Sequence, residues 1–551
     1  MKDTVVNRYL GSYVLVAVTA VTLLVTPFNS LDAVSLPKLC LLIVLAFVAI
    51  GLVLSKSLFL QDKKFRVPLI VVGAFILQLA LVLLVDKSDF AFKFYGTPYR
   101  NTGFVAYLSL SFLLVASMAS SGHLLIKRYS WALVYVGTVL ALYGVAQFKG
   151  YDFYQFNNSY ASNVFGSFGN PNFQSAFMGI AGATALTLAV FSSLRIYLKI
   201  ALVAYTVLSI YNVSVSSQQG YLNLLAGFAA AAIVFLFQKE YQVFGWGALG
   251  LFIIGIFLVL LGIMDKGPLA ETIYKSSLQA RAYYWRGAIN LLIDYPFFGI
   301  GMDGFGDRYR RSWPGVSGRT DTAHNIPLDI GASGGIPLLL LYLIIVALAF
   351  YAILKVVMRK REFDVYFAAI VAAWVAYQAQ SLISINQLGL GVWGWSLTGL
   401  LIGYEINTRD SLLVGSQRDI RKGKSVNEKL SAGALVLTFV TSGIGLAIAL
   451  PPYLAANKFY KALQSGDANL IQPAAYLKPY DRSRFLYVAQ ILNENKLEIE
   501  AIKVLRDASK IYPDSFEVWQ QWSVIPSAST TDVANAKAEM KRLDPFNPDL
   551  K

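Results

Sequence analysis

The segment KLCLLIVLAFVAIGLVLS at positions 38–55 decides the fold class. It is apolar between Lys38 and Ser55, and a helix of that length rises about 27 Å, close to the hydrocarbon thickness of a bilayer. A polar stretch at 56–66 follows, and then a second apolar run, VPLIVVGAFILQLALVLLV, at 67–85. The alternation continues on both sides. Thirteen apolar spans are read in all, at about 13–27, 38–55, 67–85, 103–121, 130–147, 172–190, 198–213, 220–237, 243–263, 335–354, 365–384, 388–404 and 430–452.

Composition agrees. The 551 residues are 56% hydrophobic and 14% charged, where a soluble domain carries about 25% charged residues. The fold class expected is an all-α polytopic transmembrane bundle of about 12–13 spans, with a small helical-repeat domain at its C-terminus. The first span has no small-residue cleavage site after it and a second span follows closely, so it reads as an anchor and not as a signal peptide. The net charge of +15 would suit nucleic acid in a soluble protein. In a bundle it marks cytoplasmic loops, and no nucleic-acid partner is expected.

Basic residues gather in alternate loops: Lys56, Lys63, Lys64 and Arg66; Lys127 and Arg128; Arg195 and Lys199; Lys355, Arg359, Lys360 and Arg361; and a stretch holding Arg409, Arg418, Arg421, Lys422, Lys424 and Lys429. With the N-terminus cytoplasmic, this asymmetry satisfies the positive-inside rule and puts the C-terminal tail outside. A single cysteine, Cys40, and two histidines, His123 and His324, leave no disulfide framework and no Cys- or His-rich metal centre.

Two domains follow: a membrane domain at 1–452, with a large extracytoplasmic loop at about 265–334, and a tail at 453–551. Loops at 86–103, 149–174 and 265–334 are too long for plain connectors. The last contains an apolar-periodic stretch at 278–292, which predicts a surface-lying or re-entrant helix. In the tail, Pro479, Pro513 and Pro545 stand 34 and 32 residues apart. Ala489, Leu492, Ala501, Leu505 and Ala508 fill small and large positions between them, a tetratricopeptide-like pattern of helix pairs.

Four elements carry a resemblance to a known family. Gly166-Ser167-Phe168-Gly169-Asn170-Pro171-Asn172-Phe173 opens the sixth span. Arg281-Ala282-Tyr283-Tyr284-Trp285-Arg286 leads to Tyr295-Pro296-Phe297-Phe298-Gly299-Ile300-Gly301. Ala323-His324-Asn325 precedes Gly331, Gly334 and Gly335, and Phe94-Tyr95-Gly96-Thr97-Pro98-Tyr99-Arg100-Asn101 comes earliest. In this order they resemble the signatures of the O-antigen ligase and O-antigen polymerase superfamily. The resemblance implies an enzyme of the bacterial cytoplasmic membrane that moves a glycan from a polyprenyl-pyrophosphate carrier to an extracytoplasmic glycan, lipid or protein acceptor. It implies no cofactor, and tail repeats that bind the acceptor or a protein partner. One departure stands out: Gln219 occupies the place where members commonly carry the arginine of an S-R-G hinge.

The residues support roles of their own. Arginine's planar fork suits bidentate phosphate recognition, so Arg281 is the candidate for the leaving pyrophosphate. Arg286, five positions on, points about 140° away on the same helix and is a secondary binding candidate, with Arg100. Arg308, Arg310, Arg311 and Arg319 make the large loop cationic, either toward ligand or as partners of Asp294, Asp303, Asp307 and Asp321. His324 titrates near neutral pH and is the candidate proton acceptor. Asn170, Asn172, Gln219 and Asn325 are candidates for sugar or phosphate contacts, against helix capping as the plain alternative. The loop at 29–37 carries only Asp32 and there is no Gly-rich phosphate loop, so the expected chemistry is free of metal and ATP. A polymerase or a protein O-oligosaccharyltransferase fits the same residues. A lipid-linked glycan flippase fits less well, since ionisable residues are nearly missing from the spans, and a non-catalytic envelope scaffold is a weaker reading that Gln219 keeps open.

Overall fold

The computed structural model of the chain describes residues 5–409 and 432–550, apart from 56, 155, 157–163, 265, 274–275, 313–319, 360–361 and 548–549. Each predicted span is a helix. They are α1 (Val5–Leu23), α2 (Ser35–Leu54), α3 (Arg66–Val85), α4 (Phe104–Ser120), α5 (His123–Phe148), α6 (Pro171–Phe191), α7 (Ile196–Ser216), α8 (Gln219–Gln238) and α9 (Gln242–Ile263). The large loop contributes α10 (Ser276–Asp294) and α11 (Phe305–Ser312). Then come α12 (Ile326–Arg359), α13 (Val365–Ser381), α14 (Leu388–Thr408) and α15 (Ala432–Ser465). Among the described residues, nine helices are long and apolar enough to cross a membrane. The protein is an all-α polytopic membrane protein, and no strand occurs among the described residues.

Helix α1 lies earlier than its span, because Pro27 removes a backbone donor and restrains Thr26, so the helix stops at Leu23. Helix α12 begins at Ile326 but is broken at Gly335, whose φ of 77° and ψ of 179° are not helical. The predicted start of the tenth span coincides with that break. Helix α10 occupies the periodic stretch at 278–292. The basic stretch holding Arg418, Arg421, Lys422, Lys424 and Lys429 lies outside the described residues, as do Lys56, Arg319, Lys360, Arg361 and the side chains of Arg310 and Arg311.

Helix α14 forms the centre of the bundle, buried from Leu388 to Ile406. Gly399 and Gly403, one turn apart, lie against the backbone of Leu114 and Met118 in α4, where any side chain would collide. Small residues on one face let helices approach closely where apolar burial gives no preference between neighbour and lipid. Helix α9, by contrast, leaves Val243, Phe244, Trp246 and Leu251 exposed, the surface expected against acyl chains. The two ends of the bundle differ. At one end Tyr404 donates to Asp364 at 2.9 Å, and Arg359 and Arg409 pair with Glu405 at 3.3 and 2.6 Å. The other end gathers the four sequence elements and is covered by the tail.

Helix α15 runs without a break across residues 452 and 453 into the tail. There α16 (Ala468–Ala474), α17 (Arg482–Glu494), α18 (Glu498–Ile511), α19 (Phe516–Ser523) and α20 (Thr530–Leu543) follow. Helices α17 and α18 pair through Phe485, Val488, Ala489 and Leu492 against Ala501, Val504, Leu505 and Ala508, all buried. Phe92 of the bundle belongs to the same cluster. Ion pairs finish the seam: Arg482 to Asp307 at 2.7 Å and Arg308 to Asp514 at 2.8 Å.

Candidate active site at the tail-covered end of the bundle

Two glycine-rich elements, far apart in sequence, are joined backbone to backbone. Ile300 N–H donates to Ala332 at 3.0 Å, Gly301 N–H to Ser333 at 3.1 Å, and Ile336 N–H to Pro296 at 2.7 Å. A Cβ on Gly335 would sit 2.6 Å from the carbonyl carbon of Phe297, and one on Gly299 would overlap Ser333. Glycine is required here by proximity as well as by positive φ. The seam holds the C-terminal end of α10 against the start of α12, and so sets α10 beside the loop that carries His324.

Arg281 lies on α10, and its residue is 7% exposed. It forms no hydrogen bond or ion pair among the described residues, although a buried charge ordinarily demands a partner. Burial lowers its pKa to about 10, so it stays protonated at neutral pH. Tyr284, one turn on, places its ring 5.3 Å from the His324 imidazole. His324 has a φ of 51°, held by its own N–H to Thr322 Oγ1 at 3.0 Å. Its Nδ1 is 3.3 Å from the Thr322 carbonyl. A carbonyl only accepts, so Nδ1 carries the proton in the neutral ring and Nε2 is the accepting nitrogen. Burial, and then the Arg281 charge, depress the His324 pKa to about 4. The structure thus brings Arg281 and His324 within electrostatic reach of each other.

Arg100 is engaged elsewhere through its two terminal nitrogens. It contacts Asp303 at 3.3 Å and Asp329 at 3.2 Å, and donates to the Asp321 carbonyl. Asp303 also accepts from the Thr97 and Thr102 amides at 2.8 and 3.0 Å, and from Thr102 Oγ1 at 2.6 Å. Burial opposes the charge on Arg100, but the surrounding carboxylates outweigh it and raise its pKa. Arg100 therefore fastens the loop at 94–102 to the large loop and to α12. Asp329 in turn accepts from the Ala323 amide at 3.1 Å, one residue before His324.

The other candidates are spread over this end. A cavity of about 490 Å³ opens between bundle and tail, and its wall takes in Arg100, Asn170, Asn386 and Gln387 with Tyr99, Tyr154, Tyr460 and Tyr487. Arg281 and His324 are not among its lining residues. Asn170 caps α6 by accepting the Asn172 amide at 2.9 Å, and Gln219, at the start of α8, donates to the Asn172 carbonyl. Gln219 Oε1 is buried with no hydrogen bond. Asn325 accepts the Leu328 amide at 3.0 Å and donates to the Leu382 carbonyl at 2.9 Å, which ties α12 to α13. Arg286 is on the exposed side of α10.

Sequence reasoning missed Lys38. Wholly buried in α2, it donates to the carbonyls of Val21 and Thr22 at 2.8 and 2.6 Å, where α1 ends. Ser167 of the 166–173 element donates to the same Thr22 carbonyl at 2.7 Å. A cation at a helix C-terminus satisfies its unpaired carbonyls. The available signal was a lysine within an apolar span, which calls for a specific partner.

The four sequence elements thus come together at the tail-covered end of a helical membrane bundle. Residues 204–343 match the family model described as O-antigen ligase. That stretch runs from α7 into α12 and contains Gln219, Arg281, Arg286, His324 and Asn325. Over these residues the chain is similar to the O-antigen ligase family, which supports a membrane glycan ligase or polymerase class, and the tail lies outside the matched residues. No curated protein matches the chain significantly.

Proposed function

We propose that the protein transfers a glycan from a polyprenyl-pyrophosphate carrier to an acceptor at the extracytoplasmic face of the bacterial inner membrane. The observation that carries this reading is Arg281: a buried arginine with no carboxylate partner among the described residues, near enough to His324 for its charge to lower the pKa of the imidazole. In the step, an acceptor oxygen bonds to the anomeric carbon as the carbon–oxygen bond to pyrophosphate breaks. The acceptor proton goes to His324 Nε2, and the departing lipid pyrophosphate keeps the electron pair and is held by Arg281. Preorganised charge of this kind is the largest common source of rate enhancement. The same arrangement couples binding to basicity. Donor phosphates beside Arg281 offset its charge, and the imidazole recovers proton affinity when substrate is present.

Arg281→Ala is expected to abolish transfer with the protein inserted at normal abundance, while Arg281→Lys, which keeps charge but loses the fork, retains part of it. Transfer in a chelator should match transfer without one, since arginine supplies the charge. Full activity of Arg281→Ala in a reconstituted assay would overturn the reading. Glycan analysis of a deletion strain divides the class. Lipid-linked donor accumulating without attached glycan marks a ligase, attached single units mark a polymerase, and a protein lacking its sugar marks a protein O-oligosaccharyltransferase.

A further inference from the structure

Three hollows meet around Leu31 and Tyr99, at the junction of bundle and tail: the 490 Å³ cavity, a groove of about 560 Å³ along the tail, and a small chamber of about 80 Å³. The chamber is lined from the bundle by Asp32 and Asn101, and from the tail by Asp481, Arg482, Arg484 and Tyr512. Arg484 is 4% exposed. Its Nη2 donates to the Pro479 carbonyl, while its Nε and Nη1 are buried and make no hydrogen bond to the described residues. Asp481 Oδ2 forms a long ion pair with Nε at 3.8 Å, beyond hydrogen-bond reach, while its Oδ1 accepts the amide and hydroxyl of Ser483.

The neighbouring charges are already matched. Arg482 pairs with Asp307 at 2.7 Å, and Asp32 accepts the amides of Val34, Ser35 and Leu36 at 3.0, 2.7 and 3.0 Å. Asn101 adds a buried Oδ1 with no hydrogen bond. Two fork donors and one acceptor therefore remain, in a space that holds a few water-sized groups. A sugar ring exceeds it, but a carboxylate or phosphate substituent fits, and the adjoining cavity has room for the ring. Guanidinium prefers these two anions because its fork matches their paired oxygens.

We infer that Arg484 binds the anionic substituent of an acidic sugar whose ring lies in the adjoining cavity, so that the tail selects acidic glycans. This rests on the glycan-transfer reading above. The test uses the full-length protein in nanodiscs, titrated calorimetrically with glucuronate, glucose 6-phosphate, inorganic phosphate and glucose. An acidic sugar is expected to bind at least about tenfold tighter than glucose, and Arg484→Met to erase that preference. Arg484→Lys, the milder change, should fold as the wild type and still lose several-fold. Preference for glucuronate identifies a uronic acid, and preference for glucose 6-phosphate a phosphorylated sugar. The proposal fails if glucose binds as tightly as both acids, if inorganic phosphate binds as tightly as the acidic sugars, or if both variants keep the preference. Arg281→Ala should leave it intact, which separates failure of this subsite from failure of the transfer reading.

Discussion

Arg281 and Arg100 lie on the same end of the bundle and have opposite characters. Arg100 sits among carboxylates, and removing one member of a buried ion pair strands the others. Arg100→Ala should lower stability by about 3–5 kcal/mol, seen as a fall in the thermal unfolding midpoint in detergent, with Arg100→Lys giving little rescue. Arg281→Ala removes an unpartnered charge, so its unfolding midpoint should stay level or rise while transfer is lost. His324 has a pH signature. Its folded pKa of about 4 lies below the ordinary value near 6.5, so between these values the unfolded chain takes up a proton that the folded chain refuses. Its contribution is fully present above about pH 6.5 and is lost as pH falls toward 4. His324→Gln should flatten that slope in unfolding scans run from pH 7 to 4. An unchanged slope would mean that other groups cause it.

Elements differ in how far the sequence reveals them. The spans were legible because hydropathy over some eighteen residues is a local property, and each lies on a helix, though α1 starts well before its span, α12 begins ahead of its own and α15 runs far beyond. The motifs that hold Arg281 and His324 are local as well, and the structure brings the two residues near each other. The partners were not legible. Asp303 with Arg100, Asp307 with Arg482 and Arg308 with Asp514 join loops 175–206 residues apart, which no local pattern encodes. Gly299 and Gly335 were visible as motif glycines, but their reason, a backbone seam between α10 and α12, needed both elements in place. Gly335→Ala tests that seam. It puts a side chain at φ 77° against Phe297, and should cost about 1–3 kcal/mol. Transfer should fall further than stability does, because α10 carries Arg281. Transfer and unfolding falling in strict proportion would show the seam to be structural only.

For the whole molecule, the tail is fastened to the bundle by Arg482–Asp307, Arg308–Asp514 and the Phe92 contact, and it closes one side of the cavity. Arg482→Asp should release it, giving faster limited proteolysis at 466–480 and weaker transfer, and the paired exchange Arg482→Asp with Asp307→Arg should restore part of both. Unchanged proteolysis in the single variant would show that apolar packing alone holds the tail. Helix α15 has one more consequence. Its 34 residues measure about 51 Å, against roughly 30 Å of hydrocarbon, so about 20 Å of the same rod stands clear of the lipid. It is a ruler. The height of the tail above the bilayer is set by one continuous helix, which passes through Pro451 and Pro452, and not by a tether, and a membrane a few ångströms thicker would draw the tail down against the loops it now meets. Reconstitution in lipids of graded acyl length should therefore tune transfer, with an optimum at one thickness, and a flexible glycine–serine insert after Ala455 should erase that optimum.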